Sequence, residues 1–285
     1  MQYYCERTRL ATLKPPVKNH KTTPRKGSMA TNKRTALQRR EDLAVNDESA
    51  TRHQPAMSNT LKIKLDHLKT FQALTDNQQL FFDSYKRGDY FMALHGVAGT
   101  GKTFCALYKA LEEVLDKSNP FKKVIVVRSA VQGREIGHLP GDVNEKMEIY
   151  QQPYVQICDT LFGRKDAWER LSEQGYVEFI STSFIRGMSF DDAIIVVDEM
   201  QNLTFEEIDT VITRVGHQSK IIWCGDYRQT DLNKKKSDMT GILKFFDIAM
   251  HMRSFTKIEF TVEDIVRSSL VREYIIAKLK YEDLE

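Results

Sequence analysis

The sequence predicts an α/β protein with a mainly parallel sheet, helices on both faces of the sheet, and a separate basic segment at its start. From about residue 70, short apolar runs rich in β-branched residues alternate with longer helical patterns, which is typical of parallel strands joined by crossover helices. Most of the short runs are too apolar for a half-exposed sheet, so helices are expected to cover both faces. The first 60 residues are polar and basic instead.

Six strands and six helices are predicted in alternation. The predicted strands are Phe91–His95, Val124–Arg128, Tyr176–Ile180, Ala193–Val197, Ile221–Cys224 and Lys257–Phe260. The predicted helices cover about 75–87, 102–117, 142–160, 204–214, 238–250 and 268–280. Thr204 and Glu207 form a capping-box pattern at the start of the fourth helix. These spacings do not determine the order of the strands in the sheet.

Length and charge divide the chain into two parts. Its 285 residues, 41% of them hydrophobic, can bury one sizeable core, which we assign to residues 61–285. Residues 1–60 contain 12 Lys/Arg and 5 Asp/Glu and so carry +7, which leaves −4 for the rest of a chain of net charge +3. We expect residues 1–60 to be disordered because they have little apolar surface to offset the ordering entropy. A nucleic-acid-binding arm and a solvated tail are equally open interpretations of this segment. A third alternative is an over-extended reading frame, with Met29 or Met57 as the true start.

Cysteine spacing and hydropathy bear on cellular location. The four cysteines, Cys5, Cys105, Cys158 and Cys224, lie far apart without a CxxC pair, so we expect reduced, buried thiols instead of a zinc site or a disulfide framework. The sequence has no run of about 18 apolar residues and no apolar secretory segment. We therefore expect a cytoplasmic protein with no membrane partner.

The most specific single motif directly follows the first predicted strand. It matches the P-loop (Walker A) pattern G-x-x-x-x-G-K-[ST] without a mismatch, with the residues Gly96, Val97, Ala98, Gly99, Thr100, Gly101, Lys102 and Thr103. Backbone N–H groups of such a loop point at phosphate oxygens, and the following helix adds its positive end. Lys102 is expected to bridge the β- and γ-phosphates, and the Thr103 hydroxyl to bind Mg²⁺. This motif alone fits ATP and GTP equally.

Acidic residues end a later apolar strand. Asp198 and Glu199 follow Ala193–Val197, at the carboxyl end where open α/β sheets bind their ligands. Asp198 is the candidate Mg²⁺ ligand, and Glu199 is the candidate that orients or deprotonates the attacking water. Alone, such a pair is often a solvated helix start, but with a P-loop upstream it indicates a Walker B pair.

After the next strand, Gln229 is a candidate contact to the γ-phosphate or to the attacking water, with an ordinary turn as the alternative.

Seven collinear segments together resemble the PhoH family over about residues 70–275. They are Thr75–Gln78, Gly96–Thr103, Arg128–Val131, Ile136–Gly141, Ile185–Gly187, Val197–Asn202 and Gly225–Gln229. The Gly-x-Leu-Pro-Gly and Asp-Glu-x-Gln-Asn elements make this resemblance more specific than a P-loop alone. The short connection Gln132–Glu135 resembles bacteriophage members, and a phage-encoded protein would act in the host cytoplasm.

The resemblance implies a RecA-like core of the superfamily 1 helicase kind, ATP hydrolysis, and action on single-stranded RNA or DNA. Gln78 matches the Q-motif glutamine that reads adenine in helicases, which favours ATP, with a helix-surface amide as the alternative. Some relatives carry a nuclease or RNA-binding domain, but residues 1–60 are too short and too poor in apolar residues for either. Nuclease activity is therefore not expected. His138 departs from the aromatic residue of many members, which leaves the contact of its loop open.

The resemblance also implies a partner subunit. Helicases of this superfamily hold ATP between two RecA-like domains, whereas this chain has room for one, and PhoH-like proteins form rings. We therefore expect a homo-oligomer such as a hexameric ring. Arg186 and Arg267 are the candidate arginine fingers, acting in cis or in trans. A surface salt bridge is the alternative for each arginine.

Cations near the same sheet edge are candidate nucleic-acid contacts. Arg128 ends the second strand, where helicase relatives contact the nucleic-acid backbone, and Lys234, Lys235 and Lys236 follow the Gln229 motif. Such cations neutralise phosphates without reading sequence. A solvated loop is the alternative for the three lysines.

Three functions compete on this sequence. An ATPase motor or switch stimulated by single-stranded nucleic acid fits best. A slow, nucleotide-dependent scaffold that recruits other factors is the alternative, and the intact Walker residues and Gln229 disfavour it. A small-molecule kinase fits poorly because such enzymes usually need a mobile lid that carries arginines.

Overall fold

The computed structural model describes residues 62–129, 143–226 and 236–282, without the side chains of residues 143–146, 236–240 and 282. Six strands and seven α-helices lie along these residues, and one pair of successive strands is joined without an α-helix. The strands are β1 (Phe91–Gly96), β2 (Lys123–Arg128), β3 (Val177–Ser181), β4 (Ala193–Val197), β5 (Lys220–Gly225) and β6 (Phe255–Phe260). The helices are α1 (Asp76–Arg87), α2 (Lys102–Leu115), α3 (Val143–Phe162), α4 (Ala167–Glu173), α5 (Phe205–Ile212), α6 (Lys236–Ala249) and α7 (Ser269–Glu282).

The strands form one parallel sheet in the order β3-β2-β4-β5-β1-β6. Ala93 of β1 lies opposite Trp223 of β5, and Val196 of β4 lies opposite Ile222 of β5. Strand β5 therefore separates the strand that leads into the P-loop from the strand that leads into the acidic pair. Because all the strands run in the same direction, their carboxyl ends meet at one edge of the sheet.

Alternate strand residues pack into two cores, one on each face of the sheet. In β4, Ile194 and Val196 join one core, whereas Ile195 and Val197 join the other. Helices α1 to α4 supply side chains to the first core, and α5 and α6 supply side chains to the second. This two-sided burial explains why the central strands are continuously apolar, and it confirms the predicted helices on both faces.

The observed elements confirm the predicted ones to within a few residues, with one helix missed. Helix α4 buries Trp168 and Leu171, but two turns are too short for a helical period to be recognised from sequence. Strand β6 begins two residues before its predicted start, at Phe255, whose ring packs 4.9 Å from that of Phe91. The capping box is present, since Thr204 N–H donates to Glu207 at 2.9 Å.

Three cysteines lie within the described residues. Cys105, Cys158 and Cys224 are free and buried, and burial raises the pKa of Cys105 and of Cys158 to about 12. These thiols are therefore protonated at neutral pH. The described ranges contain no helix that combines the length and the apolar character needed to cross a bilayer. The expectation of disorder for residues 1–60 lies outside the described residues.

Candidate nucleotide-binding site

The P-loop connects β1 to α2 through a backbone that only glycine adopts easily. Gly96, Gly99 and Gly101 have φ values of +120°, +77° and +81°, in the region that disfavours residues with a Cβ atom. A Cβ atom on Gly96 would lie 2.0 Å from the carbonyl oxygen of Phe260. That carbonyl accepts a hydrogen bond from Val97 N–H at 3.0 Å. The end of β6 therefore fixes the start of the loop.

The Lys102 side chain lies inside this loop. Its ammonium group donates to the carbonyl oxygens of Gly96 at 2.9 Å and Val97 at 2.7 Å, and to the Thr100 hydroxyl at 3.2 Å. Burial lowers the pKa of Lys102, and the charge of Asp226 is the largest effect that opposes this. A cation held by weak neutral acceptors in a nearly buried loop is well placed to bind phosphate oxygens.

Thr103 and Asp198 meet across the cleft. The Thr103 hydroxyl donates to Asp198 Oδ1 at 2.7 Å. Burial has the largest effect on the pKa of Asp198 and raises it, and the charge of Glu199 raises it further. Hydrogen bonds from Thr103 and Tyr154 oppose this shift. A hydroxyl and a carboxylate are hard oxygen donors of the kind that Mg²⁺ takes, with phosphate and water oxygens completing its shell. The pair therefore fits the magnesium ion of an Mg-nucleotide complex.

Glu199 has a left-handed backbone conformation. Its φ is +52°, a value shared by Asp192 (+51°) and Gln218 (+49°) outside the cleft; this conformation is strained for a residue other than glycine, and such residues cluster at functional sites. Its backbone carbonyl accepts from Asn202 N–H at 2.8 Å, and its side chain accepts a hydrogen bond from the Gln201 amide. These contacts hold the Glu199 carboxylate at the carboxyl end of β4.

Gln201 links the acidic pair to the next strand. Its carboxamide oxygen accepts from Asp226 N–H at 3.1 Å, while its amide nitrogen donates to Glu199. Gly225 allows this approach, because a Cβ atom there would lie 2.3 Å from the Gln201 oxygen and 2.9 Å from the Met200 nitrogen. Sequence reasoning used Gln201 only as part of a motif, since its role depends on β5 lying beside β4.

Tyr154 is a site residue that sequence reasoning missed. Its ring is fully buried, and its hydroxyl donates to Asp198 Oδ2 at 2.9 Å. Burial and the charge of Asp198 raise the pKa of Tyr154, and the charge of Arg128, at the end of β2, opposes them. Burial lowers the pKa of Arg128, but Tyr154, Glu199 and Asp198 more than offset this and raise it overall. In sequence Tyr154 is one apolar position on a predicted helix and carries no signal of a site.

Two segments far apart in sequence, one before β1 and one after β6, hydrogen-bond to backbone carbonyls of the P-loop. The Gln78 amide donates to the Thr100 carbonyl at 2.9 Å, and its carboxamide oxygen accepts from Leu74 N–H at 2.9 Å. Val266 N–H donates to the Gly99 carbonyl at 3.1 Å. The resulting cleft has a volume of about 680 Å³ and is lined by Phe71, Gln78, residues 98–99 and 101–105, Pro153, Ile157, Asp198, Glu199, Gln201, Asp226, Val266 and Arg267, among others.

The two candidate arginine fingers occupy different places. Arg267 lines the cleft, and its side chain packs against Gly99. Arg186 is exposed, follows the 3₁₀ turn Thr182–Phe184 after the edge strand β3, and does not line this cleft. The structure thus brings Arg267, but not Arg186, to the P-loop of its own chain.

Some predicted contacts lie outside the described residues. Gln229, Lys234 and Lys235 belong to this group, as do the segment 130–142 with His138 and the Gly-x-Leu-Pro-Gly element. Lys236 begins α6, and its side chain is not described. The roles assigned to these residues remain predictions.

A family model described as PhoH-like protein matches residues 70–278. The chain belongs to the PhoH-like family. This membership confirms the resemblance found in the sequence, and with the parallel sheet and P-loop it establishes the RecA-like P-loop NTPase fold. The PhoH-like protein of Bacillus subtilis is 35% identical over 210 residues, which are 73% of this chain and 64% of that protein. The PhoH-like protein of Mycobacterium leprae is 34% identical over 232 residues, 80% of this chain and 64% of that protein.

The PhoH-like chain therefore spans less than two thirds of the length of these two relatives. Protein PhoH2 of Bacillus subtilis is 40% identical over 144 residues, 49% of this chain and 32% of that protein.

Among solved structures, the large terminase of bacteriophage D6E has a TM-score of 0.41 at 10% identity, covering 71% of this chain and 50% of the terminase. Unliganded Pif1 from Bacteroides has a TM-score of 0.33 at 16% identity, covering 70% and 43%. At these scores neither structure bears on substrate or mechanism.

Proposed function

We propose that this PhoH-like chain hydrolyses Mg-ATP and acts on single-stranded nucleic acid as an oligomeric, helicase-like motor or switch. One observation carries the proposal: Lys102, Thr103, Asp198 and Glu199 line a single cleft, with Thr103 and Asp198 in direct hydrogen-bond contact. Two separate strand ends supply these groups, so their convergence depends on the fold and not on sequence proximity.

Each group has a distinct role in the proposed reaction. Lys102 would bind the β- and γ-phosphate oxygens, and Thr103 and Asp198 would hold Mg²⁺, which neutralises phosphate charge when it is bound. Glu199 would orient or deprotonate the attacking water. Gln229 is proposed as the γ-phosphate contact on the strength of its position after β5.

Gln78 supports ATP over GTP. Its carboxamide uses one N–H on Thr100 and one oxygen lone pair on Leu74, which leaves one donor and one acceptor. Adenine offers a matching acceptor and donor at N7 and N6, whereas guanine offers two acceptors on the corresponding edge. The cleft beside Gln78 is therefore better suited to adenine.

The nucleic-acid part of the proposal rests on Arg128. It stands at the carboxyl end of β2, on the same edge of the sheet as the nucleotide cleft, and it is not fully buried. A guanidinium group there can contact phosphates without reading bases. The lysines at 234–236 and the +7 charge of residues 1–60 would add to a salt-sensitive attraction.

An oligomer would complete the site. We propose one ATPase domain over residues 61–285, with a neighbouring subunit covering the open side of its cleft. The exposed Arg186, away from the cleft of its own chain, suits a finger that acts in trans, and Arg267 suits one that acts in cis. A ring of such subunits is the proposed assembly.

Hydrolysis and binding by two variants test the proposal. Lys102→Ala is expected to lower phosphate release by about 100-fold or more, because a phosphate-binding cation is lost. Glu199→Gln is expected to retain ATP binding and lose hydrolysis by roughly 10² to 10⁴-fold. Lys109→Ala on the same helix and Glu206→Gln on α5 are matched controls that should keep activity. Unchanged hydrolysis in both site variants would contradict the assignment, and ATP binding without hydrolysis by the unsubstituted chain would favour the scaffold.

A further inference from the structure

A line of contacts connects Arg128 to the P-loop threonine through helix α3. Arg128 packs on the ring of Tyr150 in helix α3, and the Tyr154 hydroxyl, one turn later in that helix, donates to Asp198 Oδ2 at 2.9 Å. The other Asp198 oxygen accepts from Thr103 at 2.7 Å. Asp198 is only 6% exposed and Tyr154 is fully buried, so water has little access to the hydrogen bond between them.

The Tyr154 hydroxyl is the group in this line that ties helix α3 to the Asp198 carboxylate. The charge of Arg128 also acts on this hydroxyl, and in a buried environment a charge polarises a neighbouring hydrogen bond, so a change at Arg128 is felt at Asp198. The ring itself is held separately, at 5.7 Å from the Phe179 ring and 6.3 Å from the Trp168 ring between centroids. Removing the hydroxyl therefore interrupts the line and leaves the packing in place.

Helix α3 brings the same two regions together. Tyr150, one turn before Tyr154, has its ring 5.7 Å from the Arg128 guanidinium. Pro153, Ile157 and Thr160 of the same helix line the nucleotide cleft. One helix thus contacts the predicted nucleic-acid arginine and the space that the nucleotide would fill.

We infer that Tyr154 is a positioning residue that couples nucleic-acid binding at Arg128 to nucleotide binding at Asp198. The inference rests on the proposed function, because it takes Arg128 as a phosphate contact and Asp198 as a ligand of the Mg-nucleotide complex. A nucleic-acid phosphate bound to Arg128 alters the contact of its guanidinium group with Tyr150 of helix α3, and this changes how firmly Tyr154 of the same helix holds Asp198. By linkage, bound nucleotide changes the affinity for nucleic acid by the same factor.

Equilibrium binding to the full chain tests this coupling without relying on turnover. The dissociation constants of fluorescently labelled oligouridine and oligothymidine are measured by anisotropy, with and without Mg²⁺ and a non-hydrolysable ATP analogue. The ratio of the two constants is the coupling factor. For the unsubstituted chain we expect a factor of roughly 5 or more in either direction, and for Tyr154→Phe a factor close to one.

Tyr85→Phe is the matched control. It also removes a hydroxyl of a buried tyrosine that donates to a carboxylate, in this case Glu113 at 2.6 Å, but it does so away from the nucleotide cleft. This variant is expected to keep the coupling factor of the unsubstituted chain. Thermal melting of both variants shows whether they fold equally well.

The outcomes separate the inference from the proposed function. A coupling factor that is unchanged in Tyr154→Phe, close to one in the unsubstituted chain, or equally lost in Tyr85→Phe would overturn the inference and leave the proposed function standing. Failure of the unsubstituted chain to bind either oligonucleotide would contradict the proposed function, and the inference with it.

Discussion

The backbone of Glu199 shows how single residues shape the site. Its left-handed conformation is strained, and the contacts of Gln201 with Glu199 and Asp226 hold it in place. Gly225 makes room for Gln201 and Met200 at the carboxyl end of β5. The position of the candidate water-activating carboxylate thus depends on a glycine 26 positions later in the chain.

Substitution of Gly225 tests this dependence. In Gly225→Ala the new methyl group would meet the Met200 backbone nitrogen at 2.9 Å and the Gln201 oxygen at 2.3 Å, so the segment that carries Glu199 must move. We expect a stability loss of about 1–3 kcal/mol by urea denaturation and a loss of hydrolysis of up to about 100-fold. Gly175→Ala, where φ is +75° and no atom lies within 4 Å, should cost some stability but no activity. Equal activity in both variants would contradict this account.

At the scale of elements, the segment after β6 acts as a brace for the P-loop. Val266 binds the Gly99 carbonyl, and the buried Asp264 accepts from Asn77 of α1 at 2.8 Å and from Thr261 N–H at 2.8 Å. These bonds connect α1, the P-loop and the last strand. Loss of the Asp264 charge is therefore expected to loosen one wall of the cleft.

The pH dependence of stability tests this brace. Burial raises the pKa of Asp264, but hydrogen bonds, the largest from Asn77, outweigh it and lower the pKa overall. A lowered folded-state pKa means that the stabilisation is complete above the unfolded pKa of about 3.9 and is lost as pH falls through the folded value. Asp264→Asn should lower the free energy of unfolding by about 1–3 kcal/mol at pH 7. The difference in this free energy between the variant and the unsubstituted chain should shrink below about pH 4. Asp209→Asn, which is exposed on α5, should show no such loss, and a pH-independent difference for Asp264→Asn would contradict the argument.

Sequence alone located the candidate groups whose signal is local. The P-loop is a contiguous pattern that follows a strand, and the apolar run of β4 ends at its two acids, so both were recognisable before the fold was known. Gln201, Tyr154 and the brace at Asp264 were not, because their roles depend on which strands are neighbours and on how α3 packs. Helix α4 was missed for a different reason, since two turns give too short a period.

For the whole molecule, the central question is whether neighbouring subunits complete each other's sites. Lys102→Ala and Arg186→Ala are each expected to be inactive. If Arg186 acts in trans, mixing the two variants should restore part of the hydrolysis, because some interfaces then pair an intact P-loop with an intact arginine. Mixing Lys102→Ala with Arg267→Ala should not restore hydrolysis if Arg267 acts in cis, because no subunit then has both an intact P-loop and an intact Arg267. The opposite pattern of recovery would exchange the two roles, and a monomeric mass in solution would contradict the ring.

The most direct test of the central claim is phosphate release from Mg-ATP as single-stranded RNA or DNA is added, with Lys102→Ala and Arg128→Ala beside the unsubstituted chain. We predict that at least one polymer stimulates hydrolysis, that added salt weakens the stimulation, that Arg128→Ala reduces the stimulation, and that Lys102→Ala lowers hydrolysis by about 100-fold or more. Hydrolysis that is indifferent to every polymer, or absent while ATP still binds, would contradict the motor or switch and point to the scaffold instead.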